Sequence, residues 1–281
     1  MPVNILYCEG GKNSPDIRVL ANLLAGVCMI KPAGSKYGLD RTILFIRQTL
    51  PGSVAAALRD RDFDQDDSAP VNSPINWKVR DNEKYIQIGW SWKRKEIENY
   101  LIDPEVVSHA LGSKAPCADD YRAALEHSAK TIADYTAARI ALSLSRKRLL
   151  PLKNCWGNAG INDKHAFPPS LSESDCRYGI KNIVCQYEQA QIVTEKDVLS
   201  SFEQLLPACR PEGQRFCHFL TFFSGKDLLF GMESELSRWG FQKPSCFQER
   251  IVKGIEKSPD NVWNWLPEWN QLRQLIQKTA F

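Results

Sequence analysis

The stretch "NILYCEGGKNSPDIRVLANLLAG", Asn4 to Gly26, holds the decision about the fold. Asn4–Cys8 is a short apolar run, too brief for a helix and closed by Glu9, Gly10 and Gly11; it reads as a buried strand. From Asp16 to Gly26, Ile17, Leu20, Ala21, Leu24 and Ala25 recur at helical spacing. Ser14 is placed to cap that helix, Pro15 sits in its first turn and Gly26 ends it. Two readings of the turn compete. Gly10-Gly11-Lys12 is either a phosphate loop with Lys12 reaching for a nucleotide, or the turn of a working Glu9. A Walker loop needs a glycine five residues before its Gly-Lys pair, to bend the backbone around phosphates. That position is Leu6, inside the strand. The nucleotide loop is therefore rejected, and Glu9 stands.

Working outward, Val27–Ile30 reads as a second strand with Pro32–Ser35 as its loop, and Leu39–Leu50 as a second helix closed by Pro51-Gly52. Ser53–Leu58 reads as a third strand, Asp66–Ser73 as a polar loop and Tyr85–Trp90 as a fourth strand. A helical pattern with an interruption at Pro104 follows. Short apolar strands alternating with helices imply a parallel sheet covered on both faces. Beyond about Ala118 strand signals thin out; Asp119–Ser145, Thr194–Leu206 and Val262–Lys278 are the clearest helices, and Pro151–Ser174 reads as an irregular connector. The expected fold is α/β, with a parallel sheet flanked by helices over residues 1–115 and a mainly α-helical region over 116–281.

Composition sets the class. The 281 residues, 43% hydrophobic and 25% charged, suit a soluble globular protein. A net charge of +3 is too small to argue for nucleic-acid binding, so any basic surface is local. No apolar run approaches the roughly 20 residues that span a bilayer, and no signal peptide is visible; a cytoplasmic protein without membrane contact is expected. The nine cysteines are scattered, with no Cys-x-x-Cys, which fits reduced thiols. Cys155, His165, Cys176 and Cys185 form a loose zinc set, but their spacing is wide, and buried small hydrophobes with a surface histidine explain them better.

Carboxylates carry the chemistry. In a parallel α/β sheet, functional residues gather at the carboxyl ends of strands. Glu9 ends the first strand, and Asp60, Asp62 and Asp64 follow the third at alternate positions. Side chains two apart in extended chain point the same way, and crowded carboxylates repel unless a cation offsets them. Hard oxygen ligands select Mg2+ or Mn2+ over zinc. The rival reading makes Arg59–Asp67 a solvated charged loop; Glu9 at the end of a neighbouring strand tips the balance to a metal site.

These segments resemble a known family. "CEGGKNSPD" (residues 8–16) and "ALRDRDFD" (residues 57–64) resemble the two acidic motifs of the TOPRIM domain of topoisomerases, primases and OLD-type nucleases. "IKPAGSKYG" (residues 30–38) resembles a Pro-x-Gly-Gly-Lys loop of OLD-like members, with Ser35 where a second glycine is common. "KRKEIENYLIDPEVV" (residues 93–107) and "FFSGKDLLFGM" (residues 222–232) resemble segments of stand-alone TOPRIM nucleases, several of which act as antiphage effectors beside an ABC-type ATPase. The resemblance implies Glu9 as acid/base or metal ligand, Asp60 and Asp62 as metal ligands with Asp64 auxiliary, and Asp16 as a second-metal residue. It admits Glu98 as a further carboxylate, with a helix-surface glutamate as the equal alternative, and Lys226 as a charge stabiliser, with a capping lysine as its rival.

The implied reaction is phosphodiester hydrolysis with Mg2+ or Mn2+ as cofactor. Implied partners are DNA or RNA (tRNA among the candidates), a separate ABC-type ATPase chain and a second copy of the protein. Candidate phosphate contacts are Lys36, then Lys93, Arg94 and Lys95 in "WSWKRK", then Arg146, Lys147 and Arg148 in "SRKRLLPLK"; a solvated helix face is the common alternative. Trp263, Trp265 and Trp269 read as a packing cluster or protein-contact patch rather than a base-stacking platform. A regulatory or scaffold subunit with a degenerate site, and a nucleotidyl-transfer enzyme, are the competing functions.

Overall fold

The computed structural model describes residues 2–34, 38–50, 52–63, 73–81, 83–146, 171–188 and 193–281. Strand β1 (Ile5–Glu9) turns into helix α1 (Pro15–Leu23), whose first turn is capped by Ser14: its hydroxyl oxygen accepts from the Ile17 N–H at 3.5 Å. β2 (Met29–Gly34), α2 (Leu39–Thr49) and β3 (Ala55–Arg59) follow. Then come β4 (Ile75–Asp81) and β5 (Lys84–Ser91). The five strands lie in the order β2-β1-β3-β5-β4. β1, β2, β3 and β5 are mutually parallel; β4 pairs antiparallel with β5 at the edge.

The sheet is thus mixed, which corrects the all-parallel expectation. Ile75, Trp77 and Val79 alternate with Asn76, Lys78 and Arg80, the pattern of an edge strand with one wet face. β2 also extends past its expected end, running through Pro32 to Gly34. Proline is tolerated there because β2 is an edge strand.

Strand side chains alternate between two cores, as the period of two requires. Ala55 and Ala57 of β3 join Trp77, Ile88 and the inner face of α2, Leu39, Ile43 and Ile46. Ala56 and Leu58 face the larger core on the opposite side. That larger core draws on both halves of the chain, from Val3 to Ile276.

After β5 the chain enters α3 (Glu98–Leu101) and α4 (Pro104–Leu111). Pro104 starts a helix rather than kinking one: Asp103 caps α4 by accepting from the Glu105 N–H at 3.0 Å. The remainder is helical: α5 (Ala118–Thr131), α6 (Ala133–Arg146), α7 (Glu173–Glu188), α8 (Glu195–Cys209), α9 (Gln214–Cys217), α10 (Phe219–Phe222), α11 (Gly225–Gly231), α12 (Glu233–Arg238), α13 (Pro244–Lys257) and α14 (Pro267–Lys278).

Two of these helices lock onto the sheet domain. Arg18 of α1 pairs with Glu249 and Glu256 of α13 at 2.6 and 2.7 Å. Arg273 of α14 donates to the Leu23 and Ala25 carbonyls at 2.7 and 3.2 Å. Trp269 is fully buried, 6.2 Å from the Tyr100 ring, and Trp265 is buried beside it. A buried aromatic of this kind is worth about 3–5 kcal/mol relative to alanine, which accounts for the tryptophan cluster as packing. Among the described residues, no helix is long and apolar enough to cross a membrane.

Candidate active site

Glu9 and the residue following β3 meet because β1 and β3 are adjacent and parallel, so their carboxyl ends coincide. The Asp60 backbone N–H donates to Glu9 Oε1 at 3.3 Å. Gly10, at φ +92°, makes the turn out of β1 in a conformation that favours glycine. A Cβ on Gly10 would lie 2.4 Å from Ser14 Oγ and 3.5 Å from Asp16 Oδ2, so only glycine lets the α1 N-terminus close on the strand end. Asp16 is thereby brought beside the Gly10 turn that follows Glu9, while Lys12 is exposed.

The second half of the site comes from the loop into α3 and from α11. Lys226 Nζ lies 2.9 Å from Glu96 Oε2 and 3.6 Å from Glu98 Oε1. Glu96 Oε1 also accepts from the Ser224 hydroxyl at 2.7 Å and from the Lys226 backbone N–H at 2.9 Å. Gln248 of α13 donates to Glu98 Oε1 at 3.2 Å. Glu98, a surface candidate on sequence grounds, is buried.

The electrostatics are those of a carboxylate crowd facing Lys226, with Arg139 also under the charge of Glu96. Burial pushes the Asp60 carboxyl well above the usual range, and the charges of Asp16, Glu9, Glu96 and Glu98 push it further. Asp16 is raised to about 6, by burial first and by Glu96, against the pull of its own backbone N–H and of Lys226. Burial raises Glu98 to about 7, with Glu96 and Asp16 adding and Lys226 opposing. Burial acts on Glu96 too, but there the Lys226 ammonium, the Lys226 N–H and the Ser224 hydroxyl win and hold it at about 2. Lys226 is raised, chiefly by Glu96, and stays protonated. It can stabilise negative charge but cannot serve as a base near neutral pH.

Glu9, Asp16, Asp60 and Glu98 offer oxygen donors only, a set whose chemistry suits a hard divalent cation. Among the described residues, no group of three or more His, Cys, Asp or Glu side chains is set to hold a metal ion in this arrangement. The fit therefore rests on donor type and on the charge these carboxylates impose on one another. Asp62 is half-buried between Arg61 and Phe63, which are buried. Asp64 lies outside the described residues.

The expected phosphate contacts are placed differently. Arg94 turns inward to Asp103 at 2.6 Å, donates to the Asn99 carbonyl at 2.9 Å and lies 4.9 Å from the Tyr100 ring centre. Lys95 is buried over the Phe63 ring at 4.5 Å. Lys93 is half-buried, its N–H donating to Glu268 Oε1 at 2.8 Å. Lys36, Lys147 and Arg148 lie outside the described residues, as does the side chain of Arg146, which ends α6. Of the loose zinc set, Cys155 and His165 are likewise outside. Cys176 is buried in α7, its thiol pushed up to about 12 by burial and by neighbouring carboxylates. The eight cysteines among the described residues are free.

Glu96, Ser224, Asn99 and Gln248 belong to the site, although the sequence motifs give none of them a role. Ser224 had a readable signal, because Ser-x-x-Asp marks a helix start; its hydroxyl oxygen accepts from the Asp227 N–H at 3.3 Å. Glu96 precedes its helix and was overshadowed by Glu98. Gln248 carries no local signal. Compared with known proteins, the chain matches no protein-family model and no curated protein.

Proposed function

We propose that this protein is a divalent-metal-dependent nuclease of TOPRIM type, cleaving phosphodiester bonds of DNA or RNA. The observation that carries the reading is the meeting of Glu9 and Asp60 at adjacent parallel strand ends, where Asp16 and Glu98 add to the charge on Asp60. Glu9, Asp16, Asp60 and Glu98 would hold Mg2+ or Mn2+, with Asp62 and Asp64 as auxiliaries. When bound, the cation polarises the phosphate and lowers the pKa of an attacking water. Lys226, fixed by Glu96, supplies a permanent positive charge to the pentacovalent phosphate. Asp16 and Glu98, raised to about 6 and about 7 without metal, would give up their protons when they hold the cation. The quoted sequence segments support a role as the toxic effector of an antiphage system activated by a separate ABC-type ATPase.

A basic cleft supports contact with nucleic acid. A cavity of about 740 Å3 between the ends of α4 and α13 is lined by Lys114, Arg250, Lys253 and Lys257, with Asp260 the one lining carboxylate among the described residues.

A second reading has its own support. Glu96 and Glu98 are both engaged by Lys226, as in a site kept for structure, which suits a scaffold subunit that mainly binds an ATPase. Cleavage assays decide between them. The purified protein with MgCl2 or MnCl2 is expected to cut plasmid, single-stranded DNA or tRNA, and Glu9→Ala to lose at least about two orders of magnitude in rate. Full activity in Glu9→Ala contradicts the assignment. Absence of metal-dependent cleavage in the wild type favours the scaffold.

A further inference from the structure

We propose that Asn99 is a positioning residue that holds Lys226 against Glu96, so that the site is complete only when the α10–α11 segment is docked on α3. The inference rests on the nuclease reading for its consequence, but on geometry for its substance.

Asn99 is fully buried. Its Oδ1 accepts from the Glu96 N–H at 3.1 Å and from the Gly225 N–H at 3.0 Å. Its Nδ2 donates to the Leu220 carbonyl at 3.0 Å and to the Phe223 carbonyl at 2.8 Å. A carboxamide has two acceptor sites and two N–H donors, and all four are used. One side chain therefore ties the segment that delivers Glu96 and Glu98 to the end of α10 and the start of α11, which delivers Lys226.

No other side chain of this length performs the same set of bonds. Aspartate lacks both donors, leucine lacks every polar group, and serine is too short to reach four partners. The contact is also close in the backbone. A Cβ on Gly225 would fall 2.3 Å from the Asn99 backbone nitrogen and 2.6 Å from the Glu98 carbonyl carbon, so α11 starts directly against α3. From that docking the remaining bonds follow: the Ser224 hydroxyl and the Lys226 N–H reach one oxygen of Glu96, and the Lys226 ammonium reaches the other. Without the Asn99 amide, the Leu220 and Phe223 carbonyls and the Gly225 N–H lose these buried partners, a cost that favours undocking of α11.

A purely structural role would lower the melting temperature and leave turnover intact in whatever protein remains folded. Positioning makes two other demands. Loss of Asn99 must loosen the start of α11 while the sheet stays closed, and its effect on turnover must run through Lys226.

The test uses the full chain as wild type, Asn99→Ala, Lys226→Ala and the double variant. Hydrogen exchange of peptides covering residues 219–229 is expected to quicken by about tenfold or more in Asn99→Ala, with peptides of β1 and β3 unchanged. In Mn2+-dependent cleavage, each single substitution is expected to lower kcat by roughly 10–100-fold at similar KM, and the double to fall no further than the worse single. Unchanged exchange over 219–229, or losses that multiply in the double variant, overturn the proposal. So does full kcat in Asn99→Ala with only a lower Tm. If Asn99→Ala does not fold, Asn99→Asp, which keeps the acceptors and removes the donors, must show the same faster exchange; wild-type exchange in that variant overturns it too. If the wild type cuts nothing with either metal, the nuclease reading fails by itself, and the exchange measurement still decides whether Asn99 holds α11.

Discussion

Asp60→Asn is expected to abolish Mn2+-dependent cleavage and, in the same protein, to raise the melting temperature without metal. The two effects have one cause. Asp60 sits at the end of β3, where burial first, and then the charges of Asp16, Glu9, Glu96 and Glu98, raise the cost of ionising it. Asparagine keeps the shape and the backbone N–H that donates to Glu9 Oε1, and removes the ionisable carboxyl from the crowd. For a chain of this size each kcal/mol of relief raises Tm by roughly 2–4 °C. A metal-assisted step is worth several kcal/mol, and at about 1.4 kcal/mol per decade its loss lowers kcat by around three orders of magnitude. A site kept only for packing would show neither the gain nor the loss. Thermal melting in EDTA beside a cleavage assay with MnCl2 checks both; a variant that is less stable and fully active contradicts the account.

Stabilisation by metal is expected to be strongly pH-dependent. Asp16 and Glu98 are raised from 3.8 and 4.5 to about 6 and about 7. A carboxyl raised on folding contributes its stability below the unfolded value, and that contribution is lost as pH climbs through the folded value. The metal-free protein should therefore lose stability between about pH 4 and about pH 7 on account of these groups. A divalent cation binds the deprotonated forms, so its effect grows over the same window. At 100 times Kd it adds about 2.7 kcal/mol, seen as a large Tm increase with MnCl2 near pH 8 and a small one near pH 5. Scanning fluorimetry across that range, with and without MnCl2, reads the difference directly. Equal shifts at both ends mean that these carboxylates do not hold the ion.

The strand–turn–helix opening was legible because its information is local: an apolar run, a glycine turn and a capped helix lie within a few residues of one another. The meeting of Glu9 and Asp60 was legible for a related reason, since parallel strands place their carboxyl ends together. β4 has a clear alternation, Ile75, Trp77 and Val79, but it is short and follows a polar stretch that masks it in the sequence.

Within the charge run Lys93–Lys95, charge alone does not give the direction of Arg94 and Lys95. Arg94 found Asp103 and the Tyr100 ring, and Lys95 was buried on Phe63. The least legible part was the approach of Lys226. It depends on one amide, Asn99, meeting Gly225 from 126 positions away, and no period or spacing in the sequence encodes that contact.

Diffraction from crystals soaked in MnCl2, recorded for anomalous signal, tests the central claim most directly. The account predicts a manganese peak bounded by the carboxylates of Glu9 and Asp60, with Asp16 or Glu98 completing the oxygen ligands. Well-ordered Glu9 and Asp60 side chains with no anomalous peak beside them would contradict it.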